Sequence, residues 1–295
     1  MDLCFVGHNF LSSFAFIHSM KDMRILTVFF LILTLSQSAS AQNGRSAAAR
    51  SELGVMAGGM YYIGDLNQFR HYLNTYLSGG ILFRYEINPR WMWRTNALYG
   101  KVSSDDADSR LELNQQRNLN FNSTIWEAAT GVELHYFPFR IGDDRFRATG
   151  YIFAQLGAFR MNPKTDYNGD QVELRPLGTE GQGTSLNSKS RYNAIQITMP
   201  LGVGGKFSFG ERTCLGIEFG LRKTFTDYLD DVGASGYADY DQLLAESGPL
   251  VAELSNRSGD RFGKRGNSTT TDWYIFSGIT LTFRLGDPST CWRGH

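Results

Sequence analysis

The chain has 295 residues, and its 29 Lys plus Arg balance 29 Asp plus Glu, so no basic excess points to nucleic acid and no acidic excess to a solvating tail. Aromatic residues make up 14%, and 32 Gly stand against only 7 Pro, a composition suited to β-structure with close backbone approaches. Past the N-terminus no apolar run reaches the roughly 20 residues that a membrane-crossing helix needs, which excludes a helical membrane bundle.

Residues 1–41 read as a signal-peptide region. Lys21 and Arg24 precede the apolar run Ile25–Leu35, and Ala39-Ser40-Ala41 supplies the small residues that a signal peptidase reads, predicting cleavage before Gln42. Met20 or Met23 is a more natural start than Met1, and no Cys stands at the cleavage site to take a lipid.

From Ser51 to about residue 285 the dominant pattern is alternation with period two, repeated about eight times. Leu77, Gly79, Ile81, Phe83, Tyr85 and Ile87 share one face, opposite Ser78, Gly80, Leu82, Arg84 and Glu86. Asn88-Pro89-Arg90 then makes a tight turn into a strand that sets Trp91, Trp93 and Tyr99 against Met92, Arg94 and Asn96. Later strands set Ile195, Ile197 and Val203 against Gln196, Gly202 and Gly204, and Leu215, Ile217 and Phe219 against Gly216, Glu218 and Arg222. The less apolar faces thus carry Arg84, Arg94, Glu127, Glu133, Glu218 and Arg222 in mid-strand, charges of both signs able to pair inside a narrow barrel whose apolar faces meet lipid. The predicted fold is all-β, a transmembrane antiparallel up-and-down barrel of about eight strands and of OmpA/OmpX-like size, plugged by its own side chains. A soluble β-sandwich or barrel is the alternative.

The connections alternate long and short, as in a barrel with both termini in the periplasm. The long ones span 103–118, 161–191 and 226–271, lengths without regular structure that a compact soluble domain rarely carries. Trp91, Trp93, Tyr136, Phe137, Phe207, Phe209 and Trp273 lie near strand ends, where aromatic girdles form. The turn from Phe137 to Arg147 carries Arg140, Asp143, Asp144, Arg145 and Arg147, enough charge for a polar periplasmic contact or simply for a solvated turn. Residues 286–295 form a short periplasmic tail.

Candidate chemistry is sparse. His135 shares a strand face with Glu127 and Glu133, which invites comparison with outer-membrane lipases, but no Gly-x-Ser-x-Gly nucleophile accompanies it. Asp166-Tyr167-Asn168-Gly169-Asp170 opens like a calcium loop yet lacks the later bidentate Glu, so a polar turn is the better reading. Asp227, Asp230 and Asp231 offer either a cation site at the rim or a capped loop entry. Removal of the signal region leaves Cys214 and Cys291 at the same end of adjacent strands, where they either pair to pin the tail or remain free thiols. No catalytic residue, cofactor or metal is assigned.

The stretches SELGVMAGGMYYIGDLN from Ser51, INPRW from Ile87, LRPLGTEGQG from Leu174, RKTFTDYLDDV from Arg222 and DWYIFSGITLTFRL from Asp272 resemble the PorG-type outer-membrane barrels of the Bacteroidetes type IX secretion machinery. The similarity spans nearly all of the mature chain. It implies a non-catalytic outer-membrane protein that associates with the periplasmic ring of the lipoprotein PorK and its partner PorN and supports protein secretion. Functions from other classes are a lipid-modifying barrel enzyme and a small passive porin-like barrel.

Overall fold

A computed structural model describes residues 50–286, apart from 69, 234–235, 260–264 and 268. The signal region, most of the tail and Cys291 lie outside the described residues. Eight strands form the wall: β1 (Ser51–Ile63), β2 (Tyr76–Asn88), β3 (Trp91–Asp105), β4 (Asn120–His135), β5 (Ala148–Arg160), β8 (Ile195–Phe209), β9 (Thr213–Thr224) and β10 (Trp273–Arg284). Two short strands, β6 (Pro163–Tyr167) and β7 (Asp170–Glu173), stand above it as a hairpin. Each wall strand pairs antiparallel with its neighbours, β1 pairs with β10, and β3 with β4 completes the circle. The chain is therefore a closed eight-strand antiparallel barrel.

Period-two alternation decides which face each residue takes. In β3, Trp91, Trp93, Thr95, Ala97 and Tyr99 are exposed while Met92, Arg94, Asn96 and Leu98 are buried. The outer surface is apolar in a way no water-facing protein tolerates: Leu77 is 91% exposed, Ile217 66% and Trp126 61%. Such a wall is a lipid-facing one. Trp91, Trp93, Tyr136, Phe137, Phe207 and Phe209 project outward near one end, whereas Trp273 is half-buried at the other, under the Lys223 ammonium 4.5 Å from its ring.

That first end, the base, carries both ends of the barrel, with the Leu285 N–H donating to Ser51 O, and the tight turns. In the turn between β2 and β3 the Asn88 side-chain oxygen accepts from the N–H groups of Arg90 and Trp91, which replaces the ladder bonds lost at Pro89.

The bore is filled in layers. Next to the base the inward residues are charged. Toward the far end they are apolar, with Met56, Met60, Leu82, Leu98, Ile125, Phe159 and Phe276 forming one buried cluster. The alternation of polar-in and apolar-out therefore describes only the base-side half; the other half has a hydrophobic core continuous with the loops above it. Room for large rings comes from glycine. A Cβ on Gly204 would stand 2.3 Å from the Tyr151 ring, and one on Gly202 2.5 Å from the Phe153 ring.

The long connections correct the sequence reading, because they fold. After β3 comes a 3-10 turn (Asp106–Asp108) and helix α1 (Glu112–Arg117), ended by Asn118 in the left-handed region at φ 55°. The 161–191 segment holds the β6–β7 hairpin, whose two-residue turn Asn168-Gly169 has positive φ at both positions, 54° and 89°. The 226–271 segment holds α2 (Tyr240–Ser247) and α3 (Pro249–Ser255). Leu119, Leu174, Leu229, Val232 and Leu254 from these connections join the core of the bore, so the loops are a lid packed on the barrel.

Gly204→Leu is expected to block closure, because the added side chain has only the Tyr151 ring to enter. The check is the mobility difference between unheated and boiled samples on a denaturing gel, which should vanish for the variant.

Candidate functional site: the charged layer and the two ends of the barrel

The charges of this layer are drawn from six strands. In the register of the sheet Glu52, Arg84 and Arg94 lie side by side on β1, β2 and β3. Two arginines directly opposite one another repel, and acids from neighbouring β4 and from β9 across the bore meet them. Arg84 Nε lies 2.8 Å from Glu133 Oε2, and Arg94 makes a bidentate contact with Glu218 at 2.7 and 2.8 Å. Lys206 Nζ reaches the other Glu133 oxygen at 2.8 Å. Arg222 Nε lies 3.4 Å from Glu127, which also accepts from the Tyr274 hydroxyl at 2.7 Å and from the Asn96 amide at 3.1 Å. Tyr151 donates to Glu218 at 3.1 Å. The Arg94 guanidinium stacks 4.2 Å from the Phe153 ring centre.

All six sequence-named charges, Arg84, Arg94, Glu127, Glu133, Glu218 and Arg222, thus come together in one buried layer. Lys206 and Glu52, missed in the sequence reading, complete it at four basic and four acidic groups. Both were legible: Lys206 is the next inward step after Gln196, Gly202 and Gly204, and Glu52 the first inward residue of β1.

The two His135 ring nitrogens face Glu133 Oε1 at 2.9 Å and Pro89 O at 3.3 Å, so neither is turned to a nucleophilic hydroxyl. What the layer does is fill the bore. Removing one partner leaves its counter-charge buried and unpaired, at about 3–5 kcal/mol. Glu133→Gln, which strands Arg84 and Lys206 together, is expected to destabilise on that scale. The joint change Arg94→Met with Glu218→Met should cost less than either single change. Denaturant unfolding in micelles, followed by tryptophan fluorescence, measures both.

At the base, the turn 136–147 folds under the bore. Phe139 and Ile141 pack on Cys214, and the Phe139 N–H donates to Pro89 O at 2.9 Å. Lys206 lies 4.9 Å from the Phe139 ring centre, so this seal touches the charged layer directly. The charged set of the turn divides: Arg140 Nε donates to Glu86 at 2.8 Å and belongs to the seal, whereas Asp143, Asp144, Arg145 and Arg147 are exposed, with Arg147 paired to Asp144. Cys214 is buried, but its pairing with Cys291 involves a residue outside the described ones.

The lid is held by two buried arginines. Arg117 grips Asp106 through two nitrogens at 2.7 and 2.6 Å and donates to the carbonyls of Asp65 and Arg265. Arg265 meets Glu180 at 2.5 Å and the carbonyl of Asp231 at 2.9 Å. Among the described residues six buried acids stand against these two: Asp65, Asp106, Glu180, Asp230, Asp231 and Asp272.

Asp230 and Asp231 are loop-fastening residues here. Asp231 accepts from the Thr179 and Tyr192 hydroxyls, and Asp230 from the Val232 N–H at 2.9 Å. Among the described residues no group of three or more His, Cys, Asp or Glu is set to hold a metal ion. The Asp166–Asp170 segment is the turn of the β6–β7 hairpin, with the Gly169 N–H on Asp166 Oδ1.

One contact in the lid requires a proton. The Tyr62 hydroxyl lies 2.6 Å from Asp230 Oδ2 and 2.9 Å from Asp272 Oδ1. It has one hydrogen to give, so one of the two carboxyls must carry its own. Burial, with the charge of the partner and of Asp65, holds Asp230 well above the usual carboxylate range. Burial and nearby Asp227 and Asp65 do the same for Asp272. Burial also pushes Asp227 up to about 7, helped by Asp65 and Glu180, and Asp231 to about 6 against the pull of Arg265.

Because these folded-state values are raised, the folded lid binds more protons than the open one. The stability these carboxyls contribute is fully present below about pH 4 and is lost as pH climbs through the folded-state values. Hydrogen exchange at residues 226–233 is expected to quicken between pH 5 and 8 beyond its intrinsic pH dependence, and Asp230→Asn should flatten that change.

A family model described as a domain of unknown function (DUF6089) matches residues 23–245, and the chain belongs to that family. No curated protein matches it in sequence. Among solved structures, Neisserial surface protein A (NspA) aligns at 9% identity and a TM-score of 0.39, covering 79% of this chain and 96% of that one. Ail of Yersinia pestis aligns at 8% and 0.37, covering 79% and 96%, and the outer membrane protein OprG of Pseudomonas aeruginosa at 8% and 0.34, covering 80% and 97%. Each superposes only loosely.

Proposed function

We propose that this member of the DUF6089 family is a non-catalytic outer-membrane component of the type IX protein secretion machinery, an anchor that associates with the periplasmic ring of PorK and PorN. The observation that carries this reading is where the most distinctive motifs fall. LRPLGTEGQG contributes Thr179 and Glu180, and RKTFTDYLDDV contributes Asp231, to one buried cluster around Arg265. The residues behind the resemblance to PorG-type barrels are those that fasten the lid.

Three further features support an anchor in the outer membrane. The outward belt of apolar side chains suits lipid. Side chains fill the bore, which favours an anchor over a solute channel. The base presents both ends of the barrel wall beside the exposed Asp143, Asp144, Arg145 and Arg147, where a polar contact with periplasmic proteins costs no buried charge. In this reading the base faces the periplasm and the lid the outside.

Crosslinking and pull-down of the tagged barrel from outer membranes tests the proposal, and recovery of the ring proteins is expected. The pair Asp144→Lys with Arg145→Glu should reduce that recovery and the surface delivery of secreted cargo, without altering the folded mobility of the barrel. Recovery of the barrel alone, from cells that still assemble rings, would sink the role.

A further inference from the structure

Most wall glycines have a packing reason, such as a ring or a backbone oxygen at the place where a Cβ would go. Two do not. A Cβ on Gly205 would meet no atom within 4 Å, and one on Gly150 would find only Gly204 O at 3.9 Å. Neither residue has the positive φ that favours glycine. They pair directly across β5 and β8, and by strand parity both face outward. The barrel gains nothing from glycine at either place; what the pair does is leave a notch in the lipid-facing wall.

The notch is part of a continuous groove. One section, about 650 Å³, is lined by Tyr136, Phe137, Gly150, Ile152 and Val203 and ends at Arg90. The adjoining section, about 430 Å³, shares Phe137 and Gly150 and adds Phe207, Leu215 and Ile217. These apolar side chains are all exposed. Phe137 is braced by Tyr136 at 4.7 Å and by Phe146 stacked at 5.9 Å, so the aromatic wall is rigid. At the base end Arg90 commits its N–H to Asn88 and its carbonyl to His135, and its guanidinium enters no ion pair among the described residues.

The geometry points to a phospholipid site: one acyl chain lies in the Gly150–Gly205 notch, and the lipid phosphate meets Arg90 at the base. Charge complementarity selects this occupant. The groove runs apolar up the wall and ends in one exposed cation at the rim beside the aromatic girdle, the order of parts in a phospholipid. A partner strand or a second barrel would find no unpaired backbone there, since β5 and β8 are fully laddered along the notch. In the orientation proposed above the lipid belongs to the periplasmic leaflet. The site itself rests only on the barrel's lying in a bilayer.

The test uses the purified full-length protein in nanodiscs containing equal phosphatidylglycerol and diacylglycerol, the latter lacking a phosphate, followed by gentle detergent extraction and native mass spectrometry. Wild type should retain phosphatidylglycerol in preference to diacylglycerol. Gly205→Leu, whose Cβ has no atom within 4 Å and whose side chain points away from the barrel, is expected to fold and to lose roughly fivefold of the retained lipid. Arg90→Gln should erase the preference and leave some lipid of both kinds. Equal retention of the two lipids by wild type, undiminished retention by Gly205→Leu, or a dimer mass in place of bound lipid would each overturn the site. No ring protein is present, so the outcome is independent of the secretion role.

Discussion

An eight-strand barrel has a bore that side chains just fill, and water is not available there to solvate a stray charge. Everything inside this chain follows from that constraint. Arg84 and Arg94 stand opposite one another, so Glu133 from neighbouring β4 and Glu218 from β9 on the far side of the bore meet them. Those side chains and the Tyr151 and Phe153 rings take up the volume, so the facing positions on β8 are reduced to Gly202 and Gly204. Charge pairing and glycine placement are two halves of one fit.

The same rule applied at the ends gives two different solutions. The base is closed by a short apolar plug, Phe139 and Ile141, with Arg140 turned back onto Glu86. The far end is closed by three connections that bring their own core and, among the described residues, more buried acids than buried bases, held by Arg117, Arg265 and a retained proton. A sealed base beside exposed turn charges and a titratable lid divide the molecule into a constant face and a condition-dependent one.

The wall was readable in the sequence because burial there has period two: strand limits, the tight turn at Asn88–Arg90 and the inward charges all follow from counting. The lid was not, because its order comes from contacts that have no period. Arg265 meets Glu180 across 85 positions and Tyr62 meets Asp272 across 210. One local signal did stand in plain view: Asn168-Gly169 between Lys164–Tyr167 and Asp170–Glu173 is the composition of a two-residue hairpin turn. The polar turn read there was the tip of an extra strand pair. The apolar half of the bore was hidden for another reason. Leu82 and Leu98 share faces with Arg84 and Arg94, and alternation cannot say where along a strand an interior changes character.

The pairing in the charged layer also sets an order on how the barrel can be made. Glu133 and Lys206 are 73 positions apart, Glu127 and Arg222 95, and Arg94 and Glu218 124. The first five strands together hold Glu52, Arg84, Arg94, Glu127 and Glu133, two cations against three acids, and β8 and β9 supply Lys206, Glu218 and Arg222. A growing sheet entering lipid one hairpin at a time would carry its uncompensated charge along an open edge. The layer is accordingly charge-balanced only once β8 and β9 have joined the first five strands.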